Sequence, residues 1–177
     1  LPFMTYLGLD VTDEMEIFSI INSKAKGLNT SLLDYHESKL VSDLAVEKPE
    51  LFIALYLNDY PDSPWFKQLD LGGEKTSGIT RKASLRTMQK AVKRFLSQTN
   101  ILSDTEPESV AKLLSNFWNA VASLLENEWG NPRKHFLTKG IGVYALMSVA
   151  ADIYEEYQLS EEQLDISFFS GVLSDFI

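Results

Sequence analysis

The chain has 177 residues, 45% of them hydrophobic and 23% charged, which allows one domain with a sizeable core and excludes a chain too polar to fold. It contains no cysteine, which excludes disulfides, thiolate metal sites and thiol nucleophiles and suits a reducing, cytoplasmic setting. A net charge of −9 excludes indiscriminate nucleic-acid binding by the whole surface, so any contact with DNA has to be local.

In chain order, Leu1 to Leu7 is short, apolar and rich in strand formers, and Gly8 closes it. With a first residue that is not Met, this stretch reads as the edge of an α/β half missing from the chain, an expected partner within a longer parent protein. It lacks the basic head and long apolar run of a signal peptide, and no stretch approaches the roughly 20 apolar residues of a membrane span, so no membrane partner is expected. A helix is predicted from Thr12. Asp13 and Glu14 complement the positive end of its dipole, Met15, Phe18, Ile21 and Ala25 recur at helical spacing, and Gly27 ends it. Ser31, with Asp34 three residues on, resembles a capping box for a second helix carrying Leu33, Leu40 and Leu44 toward one side. Pro49 fits the first turn of a third, Leu51 to Leu57, which is apolar all round and belongs at the buried centre.

Between Asp59 and Gly78 the residues Pro61, Pro64, Gly72, Gly73 and Gly78 interrupt any periodicity and predict a long loop. The next helix, about Lys82 to Ser97, places Leu85, Met88, Val92 and Phe95 on one side. Capping signals at Ser103 to Glu108 then open the strongest amphipathic pattern in the chain, with Val110, Leu113, Leu114, Phe117, Trp118, Val121, Leu124 and Leu125, ended by Gly130. Asn131-Pro132 starts a further segment and Gly140 to Tyr157 a helix. Ser160 with Gln163 opens a last helix carrying Leu164, Phe168 and Val172. The expected fold is therefore all-α. It is a bundle of about six to eight helices in a single domain over 1–177, with a short N-terminal strand remnant.

Three motif-like strings lack their structural context. Gly140-Ile141-Gly142-Val143-Tyr144-Ala145 matches G-x-G-x-x-A, but the fingerprint needs a preceding buried strand, and Arg133 to Lys139 is not one, so glycines for close helix packing are expected instead. Gly73-Glu74-Lys75-Thr76 puts Glu74 where a phosphate-binding loop needs glycine. Asp34 and His36, at i and i+2 on one helix, point apart and cannot share a metal. With no nucleophile elbow or serine triad either, no catalytic residue, metal or cofactor is expected, and the chain alone is not expected to be an enzyme.

The most distinctive charge feature is the run Lys75, Arg81, Lys82, Arg86, Lys90, Lys93 and Arg94. Within it Lys82, Arg86, Lys90 and Lys93 step by four, four and three along one helical face. Arg81, Lys82, Arg86, Lys90 and Lys93 are the candidate nucleic-acid contacts, with solvation or pairing to the chain's own acids as the competing reading. Reversing Arg86 and Lys90 to Glu is expected to leave the apolar stripe and the fold intact.

Phe18-Ser19-Ile20-Ile21-Asn22-Ser23-Lys24-Ala25-Lys26-Gly27-Leu28-Asn29-Thr30-Ser31-Leu32-Leu33-Asp34 resembles the F-x-x-I-N-x-K-x-K-G-L-x-x-S-L-L stretch that follows the D-G-Q-H-R motif in DGQHR-domain proteins. That group is similar to the B component of DNA phosphorothioation systems and related to ParB-like folds. Trp129 to Met147, centred on Leu137-Thr138-Lys139-Gly140-Ile141-Gly142, is similar to the family's later helical part. The string D-G-Q-H-R itself does not occur in this sequence, so the chemistry attributed to it is not expected in this chain. The resemblance implies a non-catalytic, DNA-binding or regulatory helical module linked to DNA modification and defence. The alternatives are part of a DNA-dependent nucleotide hydrolase, to which Asn22, Lys24 or Lys26 would contribute, and a protein-interaction domain. On residue chemistry alone, these three polar groups serve equally well to cap a helix C-terminus.

Overall fold

The computed structural model describes residues 8, 10–23, 30–72 and 82–175, with the backbone alone for 19–23. The strand expected at Leu1 to Leu7 and the loop residues Gly73 to Thr76 lie outside the described residues.

Among the described residues there are nine α-helices, of which seven have nine or more residues. α1 is Val11–Ser23, α2 Thr30–Leu40, α3 Leu44–Glu47 and α4 Pro49–Asp59. Two short strands follow, β1 Leu69–Asp70 and β2 Ala83–Ser84, then α5 Leu85–Thr99 and a 3-10 turn, Ile101–Ser103. α6 is Pro107–Leu124, α7 Glu126–Gly130, α8 Gly140–Tyr157 and α9 Ile166–Ser174. The fold is all-α, and the parallel pairing of β1 with β2 is confined to two residues on each strand. No helix of the described residues is long and apolar enough to cross a membrane.

α4 lies at the centre, as its uniformly apolar sequence requires. Leu51, Ile53, Ala54 and Leu57 are fully buried, and α4 meets both α5 and α6. α5 then packs on α8, α6 on α9, and α2 against both α1 and α5. Leu85, Met88, Val92 and Phe95 of α5 are buried together with Ala91, so the stripe predicted from spacing is the one that folds inward.

Several local expectations change. α2 spans Thr30–Leu40, so Ser31 lies inside it and Leu44 opens α3 instead of continuing α2. The stretch after Asp59 is not a simple loop, because Trp65 and Leu69 are buried in the core and Asn58 anchors the turn, its carbonyl accepting from the Lys67 amide at 2.7 Å and its Oδ1 from the Leu69 amide at 3.1 Å. Prolines break helical periodicity without preventing burial. The long amphipathic helix stops at Leu124, where Leu125 leaves helical geometry at φ −116° and ψ 48°, and the five-residue α7 restarts the chain. The last helix opens at Asp165 rather than Ser160. The Asp165 carboxylate accepts from the Phe168 amide at 2.8 Å, while the Ser160 hydroxyl donates back to the Tyr157 carbonyl at 2.7 Å and closes α8. Phe169 and Leu173, each one residue beyond the predicted face, are the buried positions of α9.

Candidate nucleic-acid interface

The basic helix begins with a serine cap. The Ser84 hydroxyl accepts from the Thr87 amide at 3.1 Å, which satisfies one of the amides a helix N-terminus leaves open. Of the four cations expected along this helix, Lys82 falls outside it, before β2, and the other three diverge in their surroundings. Arg86 stays partly exposed, and its guanidinium donates to Asp34 Oδ1 at 2.7 Å with the Asp34 side chain only 8% exposed. The Arg86 amide also donates to the Ser31 hydroxyl at 3.3 Å. Lys82 is half-buried, 3.4 Å from Gln68 Oε1 and 5.3 Å from the centre of the Trp129 ring, and burial lowers its pKa. Lys90 and Lys93 are exposed, and among the described residues neither has a carboxylate within ion-pair reach. Arg81 and Lys75 lie outside the described residues.

Reversing Arg86 would thus do more than alter a solvated face. It would set a second carboxylate against buried Asp34, and the expectation that folding survives this change does not hold for such a geometry. One Asp34 oxygen, Oδ2, is buried without a hydrogen-bond partner. Burial raises the Asp34 pKa above its ordinary 3.8, and Arg86 only partly opposes the shift. The folded chain therefore holds this proton more readily than the unfolded one. Its contribution favours folding below the ordinary pKa and is lost as pH rises through the raised value. In urea melts compared from about pH 7 down to about pH 4, wild type should gain stability relative to Asp34→Asn as the pH falls. A relative loss would show that attraction to Arg86 outweighs burial.

Of the residues in the motif-like stretch, Asn22 falls in the last turn of α1, and Lys24 and Lys26 lie outside the described residues. The end of that stretch is better defined, because the Ser31 hydroxyl accepts from the Arg86 amide and the Asp34 carboxylate from its guanidinium. His36 packs 5.1 Å from the Phe18 ring. Among the described residues no group of three or more His, Cys, Asp and Glu side chains could hold a metal ion.

A second cationic segment lies close to α5. The connection from α7 to α8 carries Arg133, Lys134 and Lys139. Its two ends are held differently: Trp129 lies against Lys82, just before β2, and a Cβ on Gly140 would touch Thr87 Cγ2 of α5 at 3.8 Å. Further along, the Arg94 guanidinium sits 4.6 Å from the Tyr144 ring centre and Gln98 donates to Asp152 at 2.8 Å, so α8 runs beside α5 in the same direction. The available signal was the absence of acids. Residues 75–103 and 129–151 contain no Asp or Glu, yet hold seven and three of the chain's 16 Lys and Arg. No family model, no curated protein and no solved structure matches this chain.

Gly142 fixes the connection in place. A Cβ there would meet the Leu137 carbonyl carbon at 2.8 Å and the Phe136 and Leu137 carbonyl oxygens closer still. The glycine therefore serves close packing, as expected, but against the backbone of the preceding turn and not against a neighbouring helix.

Proposed function

We propose that this chain is a non-catalytic helical module of a DGQHR-type protein, and that it contacts a nucleic-acid backbone through the face formed by α5, the 131–139 connection and the start of α8. The observation that carries this reading is the segregation of charge. The stretches 75–103 and 129–151 contain ten of the 16 cations and none of the 25 acids, and their described parts fold against each other, so the rest of the chain has six cations against all 25 acids. An acidic protein repels phosphates everywhere except at such a face, which gives binding a place and an orientation. Ser31 and Asp34 support the link to the family resemblance, because they join the end of the motif-like stretch to the basic helix.

Phosphate contacts of this kind carry no sequence information and release counterions. Binding should be weak and sequence-tolerant. If Lys90, Lys93, Arg133 and Lys134 each neutralise one phosphate, the logarithm of the affinity should fall with the logarithm of salt at a slope of about −3.6. The test is a fluorescence-anisotropy titration at several salt concentrations with Lys90→Glu/Lys93→Glu, which leaves the Arg86 ion pair untouched. The double variant should keep the helical circular-dichroism signal and lose most of the binding. Equal binding by wild type and variant, or none by either at low salt, would refute the proposal.

A further inference from the structure

Two large apolar side chains are exposed on the cationic segment that leads from α7 into α8. Phe136 is 76% exposed and Ile141 71%, and the charged residues nearest in sequence are Arg133, Lys134 and Lys139. The backbone beneath Phe136 is held on several sides. The Lys134 and His135 amides donate to the Asn131 carbonyl at 3.0 and 3.2 Å, and the Lys139 amide donates to the Phe136 carbonyl at 3.0 Å. Leu137 packs against the core, Thr138 is fully buried, and the missing side chain of Gly142 lets the 136–137 carbonyls rest on α8. An aromatic ring presented to water from so constrained a turn loses little entropy when something covers it.

Given the nucleic-acid reading on which this rests, we infer that Phe136 is a stacking platform for an unpaired base, which makes single-stranded nucleic acid the ligand class of the α5–α8 face. In a duplex the base faces are already stacked on one another, and an exposed phenyl ring gains little from phosphates. In a single strand every base offers a π-face, and cations spaced around an aromatic ring hold the backbone while the base stacks. Charge decides against an apolar protein partner, because the ring sits in a stretch with three cations and no acid from 129 to 151.

The experiment measures anisotropy of the full chain with a labelled oligo-dT, an oligo-U, an oligo-dT carrying abasic sites, and a duplex of equal length. The intact strands should bind about tenfold more tightly than the duplex or the abasic strand, the effect of one stacked base. Phe136→Ala should lower strand affinity by about the same factor without changing the salt slope or duplex binding, and Phe136→Trp should restore it. Comparing oligo-dT with oligo-U tells whether the strand is DNA or RNA. Duplex bound as tightly as strand, or a Phe136→Ala variant that binds strands like wild type, would overturn the stacking role and leave the charge-based reading standing. If no nucleic acid binds at low salt, both fall. If Phe136→Ala instead abolishes self-association in analytical ultracentrifugation, the ring belongs to a protein interface and the inference is wrong.

Discussion

Trp118→Ala is expected to lower the stability of the fold by about 3–5 kcal/mol, which for a chain of this size moves the melting midpoint by on the order of 10 °C. Trp118 is fully buried and lies at the meeting point of four rings, with centroids 5.1 Å from Trp65, 6.0 Å from Trp129 and 5.6 Å from Phe117. Truncation would leave a cavity that α6, Trp65 and the α7 turn cannot all close at once. Trp118→Phe should cost much less, because the indole N–H is buried without a hydrogen-bond partner and nothing is lost by removing it. A thermal melt followed by circular dichroism distinguishes the two variants. A Trp118→Ala midpoint within a degree or two of wild type would contradict the packing described here.

The second large effect belongs to a residue with no side chain. Gly142→Ala should destabilise by about 3 kcal/mol or more, because the new methyl group meets two carbonyls of rigid backbone instead of the end of a flexible side chain. Gly171→Ala is the matched control. It is also helical, but nothing lies within 4 Å of its would-be Cβ, so the better helix former should add about 0.5–1 kcal/mol. Urea unfolding of both variants gives the answer, and opposite signs are the result expected. If Gly142→Ala is neutral, the 136–137 turn is not pinned to α8, and the rigid presentation of Phe136 fails with it.

Much of the architecture was legible locally. The α5 stripe, the all-round apolar α4 and the bounds of α8 follow from spacing, proline and glycine alone, because each depends on interactions within a few residues of chain. Boundaries set by competition between nearby caps were not legible, and Asp165 prevailed over Ser160 because its carboxylate reaches the Phe168 amide. Burial of Trp65 was hidden by the prolines around it, since those report on backbone conformation and not on what a side chain later packs against.

The same division runs through the candidate site. Sequence by itself determined that cations gather in two acid-free stretches of an acidic chain, and that Arg86, Lys90 and Lys93 recur along one helix, since charge and period are properties of the chain alone, whereas the helix start at Leu85 leaves Lys82 outside it. Only the tertiary structure decided how those charges are used. Asp34 lies 52 positions from Arg86, and nothing in either local pattern says that the carboxylate will be buried and pair with the guanidinium. Likewise, the connection that carries Arg133, Lys134 and Phe136 comes near α5 only because α8 packs beside it, and long-range packing is fixed by the fit of whole apolar surfaces, which no short window of sequence contains.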